Sequence, residues 1–94
     1  RPSSTFYIKV EGESMIDAAI SSGDILTVDR SLTASHGDIV IAVVNNEFTV
    51  KRLYHKGNTI ELRPENPDFR AITFQDGDEL LIWGVVVGVV RKLK

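Results

Sequence analysis

The chain has 94 residues, with 11 Lys and Arg against 13 Asp and Glu and a net charge of -2, the two signs interspersed. That length fits one domain with one hydrophobic core spanning residues 1–94, near the small end of what folds unaided. The absence of cysteine excludes a disulfide framework and a thiolate metal site, and the absence of a basic face or stripe argues against a nucleic-acid surface.

The one basic cluster, Arg91-Lys92-Leu93-Lys94, closes the chain and reads as a solubilising tail. The longest uncharged run, Leu80 to Val90, is too short to cross a bilayer as a helix, so no membrane partner is expected. No signal peptide is visible, and the cysteine-free composition fits a cytoplasmic protein. The sequence opens Arg1-Pro2-Ser3-Ser4 rather than with Met, as a processed product or a fragment would.

Residues 5–11 alternate, with Phe6, Ile8 and Val10 on one side and Thr5, Tyr7 and Lys9 on the other, which predicts a half-buried strand. Gly12 permits a turn most residues resist, and Ser14 follows at its mouth. Met15, Ile16, Ala18, Ala19 and Ile20 suit one short helical turn or an apolar loop. Ser21-Ser22-Gly23-Asp24 is a turn signal, and residues 24–29 form the second expected strand. A further turn at Ser35-His36-Gly37-Asp38 leads into residues 39–44, an apolar run that predicts a strand buried on both faces.

Asn45-Asn46 is a two-residue hairpin connection, because Asn tolerates positive φ. The return strand, residues 47–54, places Thr49, Lys51 and Leu53 on one face and Phe48, Val50 and Arg52 on the other. Lys56-Gly57-Asn58 turns into a short strand at 59–63, and the prolines of Pro64-Glu65-Asn66-Pro67-Asp68 predict an irregular loop. Residues 69–74 give another short strand, followed by a turn at Gln75-Asp76-Gly77-Asp78. Residues 79–92 are rich in β-branched side chains, which favours strand over helix, and Gly84 and Gly88 predict a bulge or bend within it. The pattern is all-β: about seven short strands in a small curved antiparallel sheet or partly closed barrel.

Chemistry centres on Ser14 and Lys51. A serine becomes nucleophilic beside a base, and a lysine can be that base where burial keeps it neutral. Periodicity alone does not pair them. A serine after a glycine is commonly a turn residue, and a strand lysine commonly packs its stem and exposes its amine. His36, with Asp38 nearby, and His55 leave a Ser-His-Asp arrangement open by spacing, against surface turn histidines as the plainer reading. Two separated histidines without cysteine show no metal-ligand spacing, and no cofactor motif is present. The aspartates mostly sit beside glycines in turns, where local hydrogen bonding favours them, and Trp83 reads as core.

The ordered strings Gly12-Glu13-Ser14-Met15, Gly23-Asp24-Ile25-Leu26-Thr27-Val28-Asp29, Gly37-Asp38-Ile39-Val40-Ile41-Ala42 and Glu47-Phe48-Thr49-Val50-Lys51-Arg52-Leu53 resemble the self-cleaving domain of the LexA and UmuD family. Leu62-Arg63-Pro64-Glu65-Asn66-Pro67 and Ile82-Trp83-Gly84-Val85-Val86 continue the likeness over nearly the whole chain. The stretch from Asp29 to Gly37 and the Trp-Gly-Val-Val ending look nearest to UmuD-type proteins, while residues 50–69 are equally like LexA.

The resemblance implies Ser14 as nucleophile, Lys51 as general base, and the backbone N–H groups of Ser14 and Met15 as oxyanion donors. It further implies a precursor that cleaves itself when stimulated by a RecA filament. The processed core would then act as a homodimer that binds a UmuC-type translesion DNA polymerase, with no sequence-specific DNA contact by this domain. The alternative it implies is the C-terminal domain of a LexA-type or phage-type repressor. A signal-peptidase relative would share Ser-Met and a later Lys, but Ile16-Asp17 stands where that group usually has Pro. No small-residue cleavage pair such as Ala-Gly or Cys-Gly occurs in residues 1–13, so this stretch is expected to lack the scissile bond, and a LexA-like DNA-binding half is not expected within it.

Overall fold

The computed structural model describes residues 4–74 and 78–93, so the expected turn at Gln75-Asp76-Gly77-Asp78 lies largely outside the described residues, as does Lys94. Among the described residues, seven strands form one antiparallel sheet. They are β1 (Thr5–Lys9), β2 (Ile25–Asp29), β3 (Ile39–Val44), β4 (Glu47–Lys56), β5 (Thr59–Arg63), β6 (Ile72–Thr73) and β7 (Leu80–Val90). A 3-10 turn spans Ile16–Ala18, and no helix of the described residues is long and apolar enough to cross a membrane. The strand order is β1-β2-β7-β3-β4-β5-β6, and among the described residues β1 and β6 do not pair to close it. The expected all-β architecture of about seven short strands is what is observed, as an open sheet.

Side-chain alternation gives the sheet two apolar faces. On one, Val10, Met15, Ile20, Leu26, Val28 and Ile41 are buried, with Ile39, Val50 and Trp83 packed against them. On the other, Val40, Ala42, Leu53 and Leu62 are buried beneath Ala34, Ile60, Leu80 and Ile82. Adjacent residues of β3 therefore enter opposite cores, as its unbroken apolar run predicts.

The glycines of β7 mark its irregularities as expected. Pairing with β2 jumps from Gly88 to Val86, and pairing with β3 jumps from Gly84 to Ile82, so Val87 and Trp83 are the extra residues of two bulges. At Gly84 a Cβ would sit 2.5 Å from Val28 Cγ1, which accounts for glycine there. The Asn45-Asn46 hairpin turns through φ of 48° and 72°, the left-handed pair that a two-residue turn between twisted strands requires.

Five expected strands shift their bounds, two of them slightly: β2 begins at Ile25 rather than at residue 24, and β7 runs Leu80–Val90 rather than 79–92. β1 ends at Lys9, although Val10 still donates to Asp24 O (2.8 Å) and accepts from Gly23 N (2.9 Å) before Gly12 turns the chain at φ 89°. β4 runs to Lys56, two residues further than residues 47–54, because β5 pairs with it as far as Lys56. The strand expected at 69–74 shrinks to Ile72–Thr73, since Phe69 N bonds Asn66 O and Asn66 Oδ1 accepts from Asp68 N, which commits that backbone to a turn.

Candidate active site

The loop that carries Ser14 is built from local forces. Gly12 reverses the chain, and the Met15 side chain, 1% exposed, plugs the first core beside Ile20 and anchors everything between. Met15 O accepts from Ala18 N at 3.0 Å and from Ile20 N at 3.3 Å, closing the 3-10 turn directly behind Ser14. Ala19 ends that turn in the left-handed conformation at φ 61°.

A second segment backs this loop. Glu65 N donates to Ser14 O (2.8 Å), Asp17 N donates to Glu65 O (2.8 Å), and Asn66 Nδ2 donates to Glu13 O (2.8 Å). Glu65 is in turn held by Arg52 Nε at 3.0 Å, and Arg52 Nη1 donates to Gly37 O. Sequence reasoning treats residues 64–68 as an irregular connector and misses this role. The signal available was the pair of prolines bracketing Glu65-Asn66, which frees backbone groups from sheet pairing and leaves them for another partner.

Lys51 meets Ser14. Its Nζ lies 3.0 Å from Ser14 Oγ, 2.6 Å from Thr49 Oγ1 and 3.1 Å from Val50 O. Lys51 is 8% exposed, and among the described residues no carboxylate forms an ion pair with it. Burial without a counter-charge disfavours the ammonium, so the Lys51 pKa is pushed down from its ordinary value. Three oxygens match the three N–H bonds of the ammonium. In the neutral amine, Thr49 Oγ1 and Val50 O take the two remaining N–H bonds and the lone pair is left for the Ser14 hydroxyl. Thr49 is thus a member of the site that the sequence showed only as a strand neighbour of Lys51.

The two residues open onto a cleft of about 400 Å³ between the end of β1, the Ser14 loop and the first half of β4, with Phe69 at one side. β5 pairs only with Arg52 to Lys56, so the preceding half of β4 has β3 as its sole strand partner among the described residues. Phe48, Thr49, Val50 and Lys51 of that half line the cleft, and a strand with one side unpaired is suited to an extended peptide. Among the described residues, neither Ser14 N nor Met15 N donates to another group of the chain.

The histidines lie elsewhere. His36 Nδ1 accepts from His55 N at 3.1 Å, its ring packs edge-on against Tyr54, and neither histidine lines the cleft. A Ser-His-Asp arrangement at Ser14 is therefore not what the fold assembles. Trp83 is only partly core: Phe6 and Phe48 meet its ring edge-on at 5.2 and 5.9 Å, and the Arg30 guanidinium lies over it at 4.3 Å.

Comparison with known proteins places this chain in a family. The Peptidase S24-like family matches residues 1–87. The protein MucA of Salmonella typhimurium is 51% identical over 86 residues, covering 90% of this chain and 58% of that protein. The LexA repressor of Syntrophotalea carbinolica is 46% identical over 86 residues, 92% of this chain and 43% of the repressor. The LexA repressor of Thermotoga maritima is 47% identical over 88 residues, 94% of this chain and 44% of the repressor. The chain thus spans about half the length of the curated relatives it matches. A family match over nearly the whole chain, with relatives of both the MucA and LexA kinds, establishes that this chain belongs to the Peptidase S24-like family.

Proposed function

We propose that residues 1–94 form a single self-cleaving peptidase core of a UmuD-like protein in the response to DNA damage, with Ser14 as nucleophile and Lys51 as general base. The observation that carries this reading is the 3.0 Å approach of Lys51 Nζ to Ser14 Oγ in a site where burial disfavours the ammonium. Lys51 takes the Ser14 proton as Oγ bonds to the peptide carbonyl carbon. The N–H groups of Ser14 and Met15 receive the developing oxyanion. Lys51 then passes its proton to the departing amine as the C–N bond breaks. In the second half the neutral Lys51 takes a proton from the water that attacks the acyl-serine and gives it to Ser14 Oγ as the ester C–O bond breaks. The substrate is an extended segment of the protein's own longer chain, laid along the outer edge of β4 in the cleft.

In the same reading, a RecA filament stimulates cleavage of the precursor in the cytoplasm. The processed core then works as a homodimer that binds a UmuC-type translesion polymerase, without reading DNA sequence itself. Exposed Val87, Val89 and Val90 support self-association: β7 is an interior strand between β2 and β3, so it is these apolar side chains, not an open strand edge, that a second copy would cover. The repressor reading keeps its footing in the LexA relatives, whose identity over the same strands is 46–47%. There the same cleavage would inactivate a transcription factor.

The test follows self-cleavage of the protein expressed from its full reading frame between pH 6 and 10, beside its Ser14→Ala and Lys51→Ala forms. The expected result is a rate that rises with pH, is lost in both variants and increases when a RecA filament is added. Full activity in Lys51→Ala, or a flat pH profile, would overturn the dyad. A helix-turn-helix segment upstream in the reading frame would decide for the repressor.

A further inference from the structure

We propose that Arg91 is a positioning residue for the Ser14 loop, a role that rests on the reading of Ser14 as nucleophile. Arg91 follows the last residue of β7, far from Ser14 in sequence, and its guanidinium makes a two-pronged contact with Asp24. Nε donates to Oδ1 at 2.8 Å and Nη2 donates to Oδ2 at 2.7 Å. The same Nη2 donates to Ala19 O at 3.0 Å. Asp24 is 3% exposed, so both of its oxygens must be satisfied from within, and the remaining partner of Oδ2 is Ser21 N at 2.8 Å.

These contacts converge on the end of the loop beyond the residues that line the cleft, which include neither Ala19 nor Asp24. Ala19 and Asp24 bracket the return from the 3-10 turn to β2. Ala19 N bonds Ile16 O, and Ile20 N bonds Met15 O, so the clamped backbone lies one hydrogen bond from the residue next to Ser14. Ala19 sits in a left-handed conformation that a side-chain-bearing residue adopts only when its surroundings hold it, and the Arg91 fork is placed to do so. The flat, rigid fork matters. A lysine at 91 would supply the charge without the paired geometry that reaches Asp24 and Ala19 together.

The experiment uses the 94-residue chain as enzyme and a Ser14→Ala form extended upstream, as in its longer relatives, as substrate. Arg91→Ala is expected to lower kcat by about tenfold or more through loss of alignment, with KM within about twofold and the pH midpoint of the Lys51-dependent rise unchanged. Arg91→Lys should be intermediate, and millimolar methylguanidinium should restore part of the kcat of Arg91→Ala. Circular dichroism and thermal melting at the assay temperature confirm that the variants compared are folded. Alongside, amide hydrogen exchange at residues 16–20 should accelerate in Arg91→Ala while the amides of β3 stay protected.

Unchanged kcat in folded Arg91→Ala, a loss confined to KM, or unchanged exchange at 16–20 would overturn the proposal. If the unaltered chain cleaves nothing, the nucleophile reading fails. The exchange measurement then still decides whether Arg91 holds the loop.

Discussion

Replacing Lys51 with Met gives the sharpest test of the electrostatic argument, because it separates what the amine does for catalysis from what it does to stability. The side chains are close in length, so the swap leaves the stem's packing nearly intact and costs little in volume. Lys51 is buried without an ion-pair partner among the described residues, and its pKa lies below the ordinary 10.5. The unfolded chain therefore binds a proton more readily at this residue than the folded chain does.

The sign follows from that difference. Stability rises with pH between the folded-state pKa of Lys51 and 10.5, at up to about 1.4 kcal/mol per pH unit, and the burden of the buried ammonium is greatest below that window. Lys51→Met removes this dependence and no other. Urea unfolding of both proteins from pH 6 to 10 isolates it, since titration of the tyrosines and the remaining lysines cancels in the difference. Met should stabilise the protein most at the low end, with its advantage shrinking as pH rises, while cleavage falls by about a hundredfold or more with loss of the base. Parallel stability curves for the two proteins would refute the claim that burial holds the Lys51 amine toward neutrality.

Thr49→Val keeps the shape but deletes the acceptor 2.6 Å from Nζ. Cleavage should slow by about fivefold to a hundredfold, corresponding to about 1–3 kcal/mol, and the pH profile should move to lower pH, since the ammonium loses an oxygen that favours it. Gly84→Ala drives a Cβ to 2.5 Å from Val28 Cγ1. Overpacking of this kind costs about 1–3 kcal/mol, to be read as a lower thermal midpoint at unchanged strand content. Asp24 is held down to about 2 from 3.8, first by its hydrogen bonds to Arg91 and then by Ser21 N. Its stabilising effect is complete above pH 3.8 and lost as pH falls toward 2, so the wild type should lose stability there more steeply than Asp24→Asn in acid unfolding.

Much of the fold was legible because strand signals are local. Alternation marked β1 and β4, the unbroken apolar run marked β3, and Asn45-Asn46 marked the hairpin whose positive φ values the structure shows. The bulges of β7 were also legible, since glycine within a β-branched strand has few other uses. The strand expected at 69–74 was misjudged for a comparable local reason. Its apolar residues matched the period, but Asn66 diverted the backbone around Phe69 into a turn before pairing could begin.

The site divides along the same line. The sequence by itself determined the chemical types present, a serine at the mouth of a glycine turn and a lysine in a half-apolar strand, and their order within a family pattern. What only the tertiary structure decided is that the two meet at 3.0 Å, that Thr49 and Val50 O share the amine, and that residues 64–66 and Arg91 hold the loop from behind. The physical reason is range. Strand propensity and turn chemistry act over a few neighbouring residues, whereas the desolvation that perturbs Lys51 and the contacts that aim Ser14 come from segments far apart in the chain. Those segments become neighbours only once the sheet has formed.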